Sequence, residues 1–177
     1  RRGEIVGLKW DRVNWGESSI RIDTTLLYTP DRGVYESTTK TGAERIIKLP
    51  QETMNLFREY RCWQLETRLA MGDRWKETPY VFTGECGGHM APDTVSGYLT
   101  RFERKYCLPH VHAHKFRHSM ASVLYFSGAD PVSISKRLGH AQVSTTQNIY
   151  SHLIEQADTQ SAERIADAIF RTERKPG

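Results

Sequence analysis

The sequence predicts an α+β domain, mostly α: a helical body with a small three-stranded antiparallel sheet on one edge. Two patterns carry that expectation. From Gln51 onward apolar residues recur at helical spacing, whereas Ser19 to Pro50 alternates with period two and is interrupted by turn residues. With 177 residues, 38% of them apolar and 26% charged, the chain can bury one sizeable core and does not have a disordered composition.

Arg1 to Lys9 reads as the end of a helix, with Ile5 and Leu8 on one side and Arg1 placed to meet Glu4 three residues later. Ile20, Ile22, Thr24, Leu26 and Tyr28 mark a first strand, and Pro30-Asp31-Arg32-Gly33 is a turn. A second strand runs to about Thr39, Thr41-Gly42 turns the chain again, and Arg45 to Leu49 is a third strand, completing an antiparallel meander. Gln51 to Met71 is a helix with Leu56, Tyr60 and Trp63 on one face. Tyr80 to Thr83 is a short apolar segment, followed by a loop holding Gly84, Gly87 and Gly88.

Val95, Tyr98, Leu99, Phe102 and Tyr106 predict a helix from about Asp93, and Phe116, Met120, Val123 and Leu124 another that ends near Gly128. Asp130-Pro131 supplies a cap and a first-turn proline for a helix that stops at Gly139. Ser144 with Gln147 forms a capping-box pattern that puts Tyr150 on a short new helix. Ala162 to Phe170 reads as a last amphipathic helix.

A net charge of +4 and a pI near 9.0 fit a nucleic-acid partner without establishing one. Cys62, Cys86 and Cys107 are odd in number and form no CxxC pair, which excludes a disulfide framework and a zinc ribbon and fits reduced thiols. No apolar run reaches membrane-span length, and the first residues do not show a signal-peptide pattern. The first residues look like the middle of a helix, so the chain is expected to begin inside a larger protein.

His114 and Arg117 leave one helix face about a turn apart and can together hold two oxygens of a phosphate. Equally, His114 can cap its helix and Arg117 can pair with a carboxylate. His140 follows Gly139 at a helix end, where it can face a cleft or satisfy the final carbonyls. Tyr150 is either a half-buried structural tyrosine or a nucleophile; the latter needs help in losing its proton and cations around the developing charge. Lys40, in Thr39-Lys40-Thr41-Gly42, is a solvated turn lysine or an ammonium delivered on a hairpin tip. Glu4 can hold the guanidinium of Arg1.

Taken in order, Arg1-Arg2-Gly3-Glu4, Lys40 in a hairpin, His114-Lys115-Phe116-Arg117-His118, Leu138-Gly139-His140 and Tyr150 resemble the motifs of the tyrosine recombinases, the phage integrase family. The match is most like integrases of phages and conjugative elements. It covers nearly the whole chain, so residues 1–177 resemble the C-terminal catalytic domain, with the upstream DNA-clamping domain and the start of the first helix outside it. The resemblance implies a site-specific recombinase in which Tyr150 attacks the scissile phosphate. Arg1, Arg117 and His140 then stabilise the transition state, Lys40 protonates the leaving 5′ oxygen, and His114 assists proton transfer or phosphate binding. It further implies no cofactor or metal, and double-stranded DNA with specific attachment sites as partner. A tetramer on DNA formed through the C-terminal segment, accessory bending or directionality factors, and a bacterial cytoplasmic location at the nucleoid also follow from it.

Two other activities match parts of the pattern. A type IB topoisomerase-like enzyme would use nearly the same residues to nick and reseal. The cluster from His110 to His118, with His114 and His118 four apart on a helix, suggests a metal-dependent hydrolase, although Arg117 puts a fixed positive charge beside any cation.

Overall fold

Helices dominate an α+β architecture with small antiparallel sheets, as the sequence predicts. The computed structural model describes residues 1–38, 44–110, 112–139 and 151. The chain divides into two compact units, Arg1–Phe116 and Arg117–Gly177.

The first unit opens on a short helix, α1 (Arg2–Val6), whose buried residues are Glu4 and Val6. Ile5 and Leu8, expected on one side of the helix, part: Ile5 is exposed, while Leu8 is buried beyond the helix end. Two short strands follow, β1 (Val13–Asn14) and β2 (Ser19–Ile22), and then the hairpin β3 (Thr24–Thr29) and β4 (Gly33–Thr38). Thr29 pairs with Gly33 across a three-residue loop, and Gly33 takes the left-handed φ of +67° that such a loop requires. After β5 (Arg45–Lys48) comes α2 (Gln51–Met71), with the bounds read from the sequence.

The expected meander is corrected. The alternating run from Ile20 to Tyr28 breaks at Asp23, whose Oδ2 receives Arg12 Nε at 2.5 Å and whose Oδ1 receives the Thr24 hydroxyl at 2.9 Å. A short acidic side chain that bonds its own neighbour competes with ladder formation. The three-stranded antiparallel sheet is therefore β1-β2-β5, with Ile20 opposite Ile47 and Ile22 opposite Arg45, while β3 and β4 form a separate pair.

Leu8, Val13, Ile22, Met54 and Val81 form one core, packed around by Trp10, Trp15, Phe57, Tyr60 and Phe82. The buried face of α2 is set by Met54 and Gln64, whereas Leu56 and Trp63 are exposed. Gln64 can face inward because both ends of its amide are satisfied: Trp10 Nε1 donates to it at 2.7 Å and it donates to the Val81 carbonyl at 3.0 Å. Beyond α2 a small hairpin, β6 (Thr83–Gly84) and β7 (Gly87–His89), leads to α3 (Pro92–Tyr106). Val6, Leu26 and Tyr80 form a second core with Val34, Met90 and Val95, which joins α1 to the β3–β4 hairpin and α3.

Gly3 and Gly7 explain how α1 can lie so close to β3. A Cβ on Gly3 would stand 2.5 Å from the Leu26 carbonyl oxygen and closer still to the Thr25 hydroxyl. On Gly7 it would meet the Thr24 carbonyl oxygen at 3.1 Å.

The second unit takes most of α4 (Ala113–Phe126) and all of α5 (Pro131–Leu138). Ala121, Ile134 and Leu138 are its buried core, with Leu124, Tyr125 and Ala129 against them. Of the apolar residues that mark α4, Leu124 packs on this core, while Phe116, Met120 and Val123 are exposed. The ends of α5 match expectation. Asp130 Oδ1 accepts from the Val132 and Ser133 amides, each at 3.0 Å, Pro131 opens the helix, and Gly139 closes it at φ +67°. The helices expected around Tyr150 and over 162–170 lie outside the described residues. Among the described residues no helix is long and apolar enough to cross a membrane.

Candidate active site

In the first unit the side chains of Arg1 and Glu4 meet, as their spacing predicts. Arg1 Nη1 donates to Glu4 Oε1 at 2.8 Å, and the Arg1 backbone nitrogen reaches Oε2 at 3.2 Å. The sequence reading missed a third member. From the first residue of β5, Arg45 grips the same carboxylate with both terminal nitrogens, Nη2 to Oε2 at 2.6 Å and Nη1 to Oε1 at 3.2 Å. The Glu4 side chain is 4% exposed and that of Arg45 13%, while Arg1 keeps 24% of its side chain at the surface.

A carboxylate taken this far from water stays ionised only if charge surrounds it. Burial pushes the Glu4 carboxyl upward, yet the Arg45 hydrogen bond, the α-amino group of residue 1 and the charges of Arg45 and Arg1 outweigh it and bring it to about 2. Glu4 is thus a permanent anion at working pH. Arg2, next to Arg1, points elsewhere, to Asp93 Oδ1 at 2.6 Å and the Ser96 hydroxyl at 3.0 Å, tying α1 to α3.

The signal that could have found Arg45 is the alternation of its strand. In β5, Arg45 and Ile47 are partly buried while Ile46 and Lys48 are exposed, so a cation occupies an inward register position. Two consecutive isoleucines hid that register from the sequence.

Lys40 itself lies outside the described residues. The strand that runs toward it, β4, is fastened by Glu36, which receives Lys9 Nζ at 2.8 Å and the phenol of Tyr80 on the same oxygen. Burial, then the Glu36 hydrogen bond and charge, push the Tyr80 phenol well above the ordinary tyrosine range. Glu36 is lowered by its bonds from Lys9 and Tyr80. Tyr80 is therefore a neutral donor, and the hairpin is joined to the segment after α1 through this cluster.

His114 and Arg117 both lie on α4, three residues apart, with His114 exposed and Arg117 half-buried. Within the second unit Arg117 Nη2 donates to the carbonyl oxygen of Leu138, the last residue of α5. That bond joins two of the sequence motifs, His114-x-x-Arg117 and Leu138-Gly139-His140. His140 and Tyr150 lie outside the described residues.

The histidine cluster does not assemble as the hydrolase reading requires. His110 Nδ1 pairs with Glu103 Oε2 of α3 at 2.9 Å, and no group of three or more His, Cys, Asp or Glu side chains among the described residues is placed to hold a metal ion.

The profile of the phage integrase family matches residues 1–157. The XerC-like tyrosine recombinase of Caldanaerobacter subterraneus subsp. tengcongensis is 27% identical over 179 residues, covering 94% of this chain and 46% of that protein. Transposase A from transposon Tn554 of Staphylococcus aureus is 32% identical over 162 residues, covering 88% of this chain and 41% of that protein. The chain thus spans less than half the length of these relatives. Among solved structures, the Tn1549 transposon integrase in complex with circular intermediate DNA superposes with a TM-score of 0.71 at 22% identity, over 94% of this chain and 56% of that one. XerA recombinase superposes at 0.66 with 25% identity, over 100% and 54%. With its fold, its ordered motifs and a family match over nearly its whole length in agreement, the chain belongs to the phage integrase family, the tyrosine recombinases.

Proposed function

We propose that residues 1–177 form the catalytic domain of a site-specific DNA recombinase that cleaves and rejoins double-stranded DNA through a 3′-phosphotyrosyl bond at Tyr150. The observation that carries this reading is the Arg1–Glu4–Arg45 cluster. A buried carboxylate, clamped from behind by one arginine, holds a second arginine whose side chain still reaches the surface. A guanidinium placed in that way can bind a phosphate without reorganising when charge develops on it.

The Tyr150 hydroxyl oxygen attacks the scissile phosphorus, its proton passing to a base, for which His114 is the candidate. The bond from phosphorus to the 5′ oxygen breaks, and Lys40 protonates that oxygen as it leaves. Arg1, Arg117 and His140 stabilise the charge on the non-bridging oxygens. The phosphotyrosyl bond keeps the energy of the phosphodiester, so a 5′ hydroxyl from a second strand can reverse the step onto a new partner. Specific attachment sites, a tetramer coupled through the segment around 162–170, and accessory DNA-bending or directionality factors complete the proposal. Related solved structures, the Tn1549 integrase with circular intermediate DNA and XerH bound to its difH substrate, support the DNA partner.

The test is a suicide substrate carrying a nick beside the cognate crossover site. The wild-type chain traps a covalent protein–DNA adduct and Tyr150→Phe traps none. Adduct formation that survives Tyr150→Phe assigns the nucleophile elsewhere.

A further inference from the structure

We propose that Arg45 is a positioning residue of this site: from β5 it fixes the plane of the Glu4 carboxylate and thereby the direction in which Arg1 presents its guanidinium to the scissile phosphate. The inference rests on the reading of Arg1 as a phosphate-binding residue.

The two arginines hold Glu4 differently. Arg1 reaches one carboxylate oxygen with Nη1 at 2.8 Å, a contact about which both side chains can swivel. Arg45 engages both oxygens with its two terminal nitrogens, at 2.6 and 3.2 Å, and a guanidinium fork on a carboxylate fork leaves one plane for the pair. Each end of this clamp is fixed to a rigid element. Arg45 pairs with Ile22 across the β2–β5 ladder, and the helix that carries Glu4 is held against β3 by the close approach at Gly3. Arg1 is the one member of the three with substantial exposure, so the orientation imposed by Arg45 is delivered at the surface.

Stability alone is a poor reason for such a pair. Burying two charges costs most of what their attraction returns. Arg45 also leaves its Nε buried with no hydrogen-bond partner among the described residues. What the arrangement supplies is geometry. Arg45 also follows Lys40 by five positions, so the strand that orients Arg1 is the one that continues from the lysine-bearing segment.

The groups facing Glu4 define how its loss would read out. Arg1 and its α-amino nitrogen face it from its own helix, and Arg45 faces it from β5. Across from α1, β3 carries no acid or base other than the exposed Tyr28, and Asp93 of α3 is taken by Arg2. Removing Arg45 therefore withdraws the largest influence that keeps Glu4 ionised, while the opposing effect of burial stays. The carboxyl rises, and as pH falls it takes up a proton and releases Arg1 at a pH where the wild-type pair is intact.

The experiment is the pH–rate profile of adduct formation by the full chain on the nicked substrate, for wild type, Arg45→Gln, Arg45→Lys and Glu4→Gln, with a thermal melt of each. Arg45→Gln is expected to lose about tenfold in rate at pH 8 relative to wild type and to lose further as pH falls, its acid limb lying at higher pH than that of the wild type. Arg45→Lys, which keeps the charge without the fork, falls between, and Glu4→Gln is slow with no added acid limb. A folded Arg45→Gln with the wild-type rate, or one slowed by the same factor at every pH, overturns the proposal. If Arg45→Gln does not fold, Arg45→Lys decides by the same criterion. A wild-type chain that forms no adduct, or an adduct rate indifferent to Arg1→Ala, removes the reading of the site and this inference with it.

Discussion

The guanidinium of Arg117 donates to the backbone carbonyl of Leu138, twenty-one residues away, at the point where α5 ends and Gly139 turns the chain. The last carbonyls of a helix lack partners within it and carry the negative end of its dipole, so a half-buried cation there is doubly favoured. The bond places the arginine of one motif against the backbone that leads into His140. A change at Arg117 therefore acts on both the charge proposed for the site and the shape of the turn.

Arg117→Ala is expected to slow adduct formation by about two to three orders of magnitude, the loss expected for one charged transition-state donor. It is also expected to lower stability by about 1–3 kcal/mol by stripping the Leu138 carbonyl of its donor. Single-turnover cleavage and urea denaturation read the two effects separately. Arg117→Lys, which keeps charge but not the planar fork, should restore more of the stability than of the rate.

Glu4 makes the first unit sensitive to acid in a defined window. Its folded pKa of about 2 lies below the ordinary value of 4.5, so its contribution is complete above pH 4.5 and disappears as pH falls toward 2. Denaturation across pH 2–7 should show wild type losing stability below pH 4.5 more steeply than Glu4→Gln, which starts lower and stays flatter.

Gly3→Ala is expected to cost at least about 2 kcal/mol, because the new Cβ falls on backbone, the Leu26 carbonyl, which cannot rotate aside. The change should also slow cleavage, since displacing α1 displaces Arg1 and Glu4 together. A glycine-to-alanine change that left melting and cleavage intact would mean that α1 is not held as the structure shows.

Asp130→Ala removes a side chain that accepts from two helix amides and should destabilise the chain by about 1 kcal/mol, readable by chemical denaturation. Asp130→Ser should recover most of that loss.

Local signals were legible where local physics decides. Pro50 and Gly72 bound α2, and Asp130-Pro131 and Gly139 bound α5, because caps and breakers act over one turn. Which face of a helix turns inward is a tertiary matter. On α2 the polar Gln64 is buried between Trp10 and Val81 while the apolar Leu56 and Trp63 are left outside, an inversion that hydrophobic spacing cannot reveal. The meander failed at one residue, Asp23, which sends β5 to pair with β2. In the site, Arg1 with Glu4 was visible at a spacing of three, but the choice of Arg1 over Arg2 came from family resemblance. The tie from Arg45 to Glu4 spans 41 residues, and its one trace in the sequence, the inward register of Arg45 on its strand, was hidden by two consecutive isoleucines.

The central claim is that Tyr150 is the nucleophile and that the cut leaves a 3′ phosphate on it. Peptide mapping by mass spectrometry of the trapped adduct, with end-labelling of the released strand, tests this directly. The expected result is DNA joined through its 3′ phosphate to the peptide containing Tyr150, and a released strand with a free 5′ hydroxyl. Attachment to any other residue, or through a 5′ phosphate, would contradict it.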